Sequence, residues 1–160
     1  MFNIFKKDSE TISIYSPVEG VSLSLEQVPD PIFSQAMLGD GVAFELKNQM
    51  IYAPVDGTVL MIAQTKHAMG LRLKNGAELM IHMGLDTVNF NGKGFDIFVH
   101  QGEKIKRGQL LAKVDLDYFR EKNVNMLTPL ICTSKEYIVQ DIYFGYVNKS
   151  TMVFRIRKNR

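Results

Sequence analysis

Leu71-Arg72-Leu73-Lys74-Asn75-Gly76-Ala77-Glu78-Leu79-Met80-Ile81-His82 carries at its centre the dipeptide Asn75-Gly76, flanked on both sides by alternating apolar residues. Asn-Gly in that setting is a strong short-range signal for a β-hairpin, because both residues tolerate positive φ. A two-residue turn there sets Lys74 opposite Ala77, Leu73 opposite Glu78, Met69 opposite His82 and His67 opposite Gly84. Side chains alternate with a period of two, so Thr65, His67 and Met69 are expected on one face, beside Met80, His82 and Gly84 of the next strand. His67 is then the diagonal neighbour of His82, roughly 7–8 Å away between backbones, a gap that two imidazoles can close. Gly84 would leave space between the rings for a small tetrahedral group.

Outward from this hairpin, short apolar alternations are broken every few residues by glycine, proline, asparagine or aspartate, so the fold is expected to be mainly β. Ser16-Pro17-Val18-Glu19-Gly20-Val21 recurs as Ala53-Pro54-Val55-Asp56-Gly57-Thr58-Val59, which points to two similar β units. In each copy the proline suits a strand start, and the glycine suits a turn or bulge with positive φ. Gln101 to Gly108 reads as a basic turn before a strand over Leu110 to Val114. At the C-terminus Met152, Phe154 and Ile156 alternate with Val153, Arg155 and Arg157, as in a half-buried strand. Helical signals are confined to a short turn over Asp30 to Met37 and a helix capped by Asp115 or Asp117 and ending by Asn123.

With 160 residues, 46% of them hydrophobic, the chain is expected to form one domain over residues 12–160, preceded by a flexible tail over 1–11. Met1-Phe2-Asn3-Ile4-Phe5-Lys6-Lys7 has the ingredients of a weak interfacial tether but is too short to distinguish from a frayed end. Nineteen basic and 17 acidic residues give a net charge of +2, too little positive bias for sequence-independent nucleic-acid binding. The single cysteine, Cys132, sits in an apolar run and reads as a buried thiol in a reducing compartment. No stretch approaches the roughly 20 apolar residues of a membrane span, and no signal peptide is evident, so a cytoplasmic location is expected.

A neutral imidazole can attack phosphorus, and a second one nearby can stabilise the charge on the phosphoryl oxygens. Each role requires a fixed tautomer, and the Thr65 hydroxyl and backbone carbonyls are at hand to fix them. His100 precedes the Gln101-Gly102 turn with no partner in register and is left outside the site.

Together with Gly39-Asp40-Gly41 and the second Pro-Val-acid-Gly unit, the segments Thr65-Lys66-His67-Ala68 and Ile81-His82-Met83-Gly84-Leu85-Asp86-Thr87-Val88 resemble the glucose-type enzyme IIA of the bacterial sugar phosphotransferase system. The resemblance runs from about Ile14 to nearly the end of the chain. It implies a small antiparallel β-sandwich or barrel of two similar motifs, and a phosphocarrier of the transferase class that needs no cofactor or metal. It further implies that His82 accepts a phosphoryl group on Nε2 from phospho-HPr and donates it to the enzyme IIB domain of a sugar permease. His67 would stabilise the group, Thr65 orient His67, and the Gly84 carbonyl receive the Nδ1 proton of His82. An apolar docking surface is implied at Ile32, Phe33, Leu38, Met80 and Val88, with Asp30 and Asp86 meeting basic partner residues. Met69, Met80 and Met83 stand where family members often have phenylalanine. Met69 and Met80 would soften the docking surface if the histidine face is the open one, whereas Met83, on the opposite face, is expected in the core. Contact with a membrane would be indirect, through the permease.

Two other chemistries fit parts of the pattern. His67 and His82, with Asp86, could hold the zinc of a hydrolase, although no third histidine or glutamate base stands at motif-like spacing. A biotinyl or lipoyl carrier would modify Lys74 beside the turn, but it leaves the histidine pair unexplained. A regulatory module that binds other proteins according to its phosphorylation state is compatible with the same site.

Overall fold

The protein is described by a computed structural model over residues 11–159. The expected tail therefore lies outside the described residues, apart from Thr11. Fourteen strands occur in chain order. They are β1 (Ile12–Tyr15), β2 (Gly20–Ser24), β3 (Asp40–Leu46), β4 (Met50–Tyr52), β5 (Gly57–Ile62), β6 (Ala68–Arg72), β7 (Glu78–His82), β8 (Phe95–Ile97), β9 (Lys104–Ile105), β10 (Leu110–Val114), β11 (Thr128–Cys132), β12 (Tyr137–Gln140), β13 (Gly145–Val147) and β14 (Met152–Lys158). Every pairing between them is antiparallel. One eight-stranded sheet runs β13-β2-β3-β11-β7-β6-β5-β9, and two three-stranded sheets run β1-β14-β12 and β4-β10-β8. The sheets pack as a sandwich, not as a closed barrel.

The two Pro-Val-acid-Gly units clasp each other through their main chains. The Tyr15 amide donates to the Pro54 carbonyl at 2.9 Å, and the Tyr52 amide donates to the Pro17 carbonyl at 2.7 Å. Val18 and Val55 both enter the core behind this clasp. Gly20 and Gly57 do not take positive φ as the sequence suggested. They open β2 and β5 where a Cβ would collide with the carbonyls of Glu45 and Arg72 on the adjacent strands, so close approach explains the glycine.

Both helical signals correspond to elements, shorter than expected. Helix α1 (Pro31–Ser34) begins on the Asp30 carboxylate, which accepts from the Ile32 amide, with proline in its first turn. It stops before Met37 because Ala36 turns to φ +51. Helix α2 (Leu116–Glu121) is capped by Asp115, whose side chain accepts from the Tyr118 amide. Asn123, at φ +57, lies just beyond its end. In β14 the alternation fails at Val153, which is fully buried with Phe154 and Ile156. The ladder to β1 pairs Ile14 with Phe154 and then Tyr15 with Met152, skipping Val153 at a bulge that turns it inward.

The decisive hairpin differs from expectation by one residue. Ala68 pairs with His82, Leu71 with Leu79 and Arg72 with Glu78. The connection is therefore three residues, Lys74-Asn75-Gly76, closed by Leu73 and Ala77 at 2.9 Å, with Gly76 at φ +90 in the bulge position. A one-residue slip reverses the faces of one strand relative to the other. Met69 consequently joins the main core at 2% exposure and is not beside the histidines.

Central strands β3 and β11 are buried on both faces, whereas β7 is buried on its inner face and half-exposed on its outer one. Val42, Phe44, Leu130, Leu79, Ile81 and Met83 point into the main core between the sheets. Ala43 and Ile131 point the other way, into a smaller cluster with Leu25, Val28, Phe33 and Leu85, against which Met80 is partly buried. His82 follows Met80 on this outer face. The buried Cys132 thiol is free, and its burial raises its pKa.

Candidate functional site

His82 ends β7 beside the smaller cluster, with the Phe33 ring 5.0 Å from its own. Phe33 was expected on the docking surface, but at 3% exposure it lies beneath it and packs against the histidine. His67 reaches His82 by a route that alternation does not describe. It occupies the four-residue connection 64–67 between β5 and β6, closed by the Ala63 amide on the Ala68 carbonyl at 2.9 Å. Lys66 there takes φ +61. The Met83 amide donates to the His67 carbonyl at 2.7 Å, tying the connection to the chain that leaves β7. The two imidazole centroids end 5.1 Å apart, with the rings inclined at 78°.

Each ring is held through Nδ1. His82 Nδ1 lies 2.7 Å from the Gly84 carbonyl oxygen, an acceptor only, so Nδ1 carries the proton and Nε2 keeps its lone pair. His67 Nδ1 lies 2.6 Å from Thr65 Oγ1, which can donate or accept. Gly84 does not open space between the rings, as its expected position opposite His67 implied. It is buried at φ +82, and a Cβ there would meet Met126 and Thr87. What it contributes is a carbonyl aimed by a conformation that side chains disfavour.

Burial lowers the pKa of both histidines. For His82 that effect is the largest; the Gly84 carbonyl opposes it, the charge of His67 adds to it, and Asp30 and Asp86 oppose it. Both rings are therefore neutral at pH 7. A folded-state pKa below the ordinary 6.5 means that the unfolded chain takes up the proton first as pH falls. Stability is thus full above about pH 6.5 and declines as pH drops through the lowered value. Urea titrations from pH 7.5 to 5 should accordingly show His82→Gln losing less stability than wild type; parallel losses would contradict this.

Of the residues expected on the docking surface, Ile32, Leu38 and Val88 are 44–47% exposed. Asp86 is exposed at φ +59, and Asp30 combines its capping role with a place near His82. Met37, at 63% exposure, and Met61, at 40%, extend the apolar rim, and neither stood out in the sequence. Gly70 was the available signal for Met61. It sits mid-strand with the Met61 side chain packed closely over it, 3.0 Å from where a Cβ would be. Beside the rim, Asp30, Asp86, Asn89, Asn123 and Asn125 line an open groove. Among the described residues, no group of three His, Cys, Asp or Glu is arranged to hold a metal ion.

Several known proteins are similar to this chain. The glucose-specific EIIA components of the phosphotransferase system (PTS) in Bacillus cereus and Oceanobacillus iheyensis are each 39% identical, over 85% and 86% of this chain and 82% and 84% of their own lengths. The glucose-specific EIICBA component of Staphylococcus carnosus is 46% identical over 76% of this chain, which corresponds to 18% of that much longer protein. Among solved structures, glucose permease IIA from Mycoplasma capricolum superposes with a TM-score of 0.86 at 34% identity, covering 91% of this chain and 95% of that one. None of these likenesses supports a zinc hydrolase. Residues 12–138 match the profile of EIIA 1 of the phosphoenolpyruvate-dependent sugar phosphotransferase system, and the chain belongs to that family of phosphoryl-transfer proteins.

Proposed function

We propose that the chain is a phosphohistidine carrier in which His82 accepts a phosphoryl group on Nε2 from phospho-HPr and hands it to the enzyme IIB domain of a glucose-type sugar permease. The observation that carries this is the 2.7 Å contact from His82 Nδ1 to the Gly84 carbonyl, which leaves Nε2 unprotonated with a second imidazole 5.1 Å away. The Nε2 lone pair forms the new bond to phosphorus, while the bond from phosphorus to the donor breaks and its electron pair leaves with the donor. Onward transfer reverses these roles.

His67 assists when its Nε2 carries the proton. That tautomer follows if the Thr65 hydroxyl donates to Nδ1 across their 2.6 Å contact. The resulting N–H then points its charge at the phosphoryl oxygens. Thr65→Val should therefore slow transfer by about tenfold, the equivalent of one ordinary buried hydrogen bond, and Thr65→Ser should restore it. Equal rates for the valine and serine variants would remove Thr65 from the mechanism.

Ile32, Leu38, Val88 and the half-buried Met80 form the apolar part of the docking surface, and Asp30 and Asp86 supply its negative charge. No lysine or arginine among the described residues lines the groove between those carboxylates, which suits basic partner residues. Residues 12–160 act as one carrier domain. The carrier works in the cytoplasm, no described helix is long and apolar enough to cross a membrane, and membrane contact comes only through the permease. Other proteins that sense the phosphorylation state would use the same surface.

The test is to incubate the protein with phosphoenolpyruvate, enzyme I and HPr and to follow its intact mass. One acid-labile phosphoryl group is expected. Absence of transfer to well-folded protein would sink the carrier proposal.

A further inference from the structure

Gly84 supplies the acceptor that sets the His82 tautomer, and the surrounding loop fixes that carbonyl from both sides. The carbonyl of Gly84 and the amide of Leu85 belong to one peptide plane. Its amide end donates to the Asn125 carbonyl at 2.8 Å, while its carbonyl end faces His82 Nδ1 at 2.7 Å. The preceding peptide is held separately, because Thr87 Oγ1 donates to the Met83 carbonyl at 2.7 Å. Thr87 is completely buried, one of the few buried polar residues of the described chain. Its methyl group also lies against Gly84, on the side where a Cβ would be.

This hydroxyl has no competing local duty. The 3-10 turn Thr87–Phe90 starts after Asp86, which sits at φ +59 and makes no side-chain capping bond. The bond from Thr87 back to Met83 closes the loop instead. It spans Gly84, the residue most free to rotate, and so removes rotation from the peptide immediately before the critical carbonyl.

We propose that Thr87 is a positioning residue for phosphoryl transfer, its hydroxyl holding the Met83–Gly84 peptide so that the Gly84 carbonyl stays on His82 Nδ1. The proposal rests on His82 being the acceptor. Without the hydroxyl the Met83 carbonyl is buried without a partner, the loop relaxes towards water, and the Gly84 carbonyl leaves the imidazole. His82 then samples both neutral tautomers, and in one of them Nε2 is protonated and cannot attack.

Two variants separate the hydroxyl from the shape. Thr87→Val keeps the methyl and loses the donor, whereas Thr87→Ser keeps the donor. Imidazole nitrogen-15 shifts of His82, recorded at pH 7.5, report the tautomer without any phosphoryl donor. A single Nδ1–H tautomer is expected in wild type and Thr87→Ser, and a mixture in Thr87→Val, with phosphoryl uptake from phospho-HPr about tenfold slower in the valine variant. If Thr87→Val does not fold, Thr87→Ala removes the hydroxyl without pressing a methyl on the Met83 carbonyl and carries the same expectation. A single Nδ1–H tautomer in a folded variant lacking the hydroxyl would overturn the proposal. Failure of wild type to take up phosphoryl would instead overturn the acceptor reading, leaving the tautomer result to decide how Thr87 positions the ring.

Discussion

His82→Gln will take up no phosphoryl group under conditions in which wild type gains one, while His67→Gln will gain one and pass it on about 100-fold more slowly. The asymmetry follows from the way the two rings are held. His82 has Nδ1 fixed on a carbonyl at 2.7 Å and offers Nε2 as the nucleophile. A glutamine amide nitrogen is delocalised into its carbonyl and has no comparable lone pair. His67 touches a hydroxyl that can donate to it, and in the proposed mechanism it presents an N–H to developing charge. Removing a single donor of that kind costs about 10²–10³ in rate, and a glutamine amide recovers part of it. Intact-mass measurements of uptake and loss, made on both variants in parallel, give the answer. Uptake by His82→Gln, or a phosphorylated His67→Gln that donates at the wild-type rate, would each refute the assignment.

Gly84→Ala is expected to destabilise the protein by about 3 kcal/mol and to lower Tm by roughly 6–12 °C, as well as impairing phosphoryl uptake. At φ +82 an L-residue is strained, at roughly 1–2 kcal/mol. Its Cβ would also stand 2.6 Å from the Met126 sulfur and 2.7 Å from the Thr87 methyl, and overpacking of that kind costs about 1–3 kcal/mol. The methionine thioether can move, whereas the Thr87 side chain is tied to Met83. Combining Gly84→Ala with Met126→Ala should therefore cost about 1 kcal/mol less than the sum of the single changes. Strict additivity in urea titrations would mean that backbone strain, and not crowding, dominates the site.

His67 and His82 were expected side by side and are, but by a different register. Asn75-Gly76 marks a hairpin, yet the dipeptide serves a two-residue turn and a three-residue loop ending in a left-handed glycine equally well. The three-residue loop forms, which should have sent His67 to the core side with Met83. His67 instead precedes β6 in a loop where Lys66 takes φ +61, so strand alternation does not govern it, and it lies beside His82. A positive φ at lysine leaves no trace in hydrophobic periodicity, so that correction was invisible. Asp115 was legible as one of two candidate caps, beside Asp117, because a cap is a local hydrogen bond, whereas Asp30 was read only as the start of a turn and proves to be its cap. Phe33 was placed at the right site but at the wrong depth. Its burial depends on Leu25, Val28, Ala43, Leu85 and Ile131 converging from distant parts of the chain. Val153 was misjudged for a similar reason, since a bulge is a property of the pair Ile14–Phe154 and not of either strand.

The reciprocal bonds from Tyr15 to Pro54 and from Tyr52 to Pro17 use only main-chain atoms. A clasp of that kind is indifferent to most of the side chains around it, so the two halves it joins can diverge without letting go of one another. Both histidines follow the second unit in the chain, and the first contributes the Asp30 cap and Phe33 that brace them. The clasp therefore ties the segment that carries the histidines to the segment that packs on them without drawing on any side chain of either.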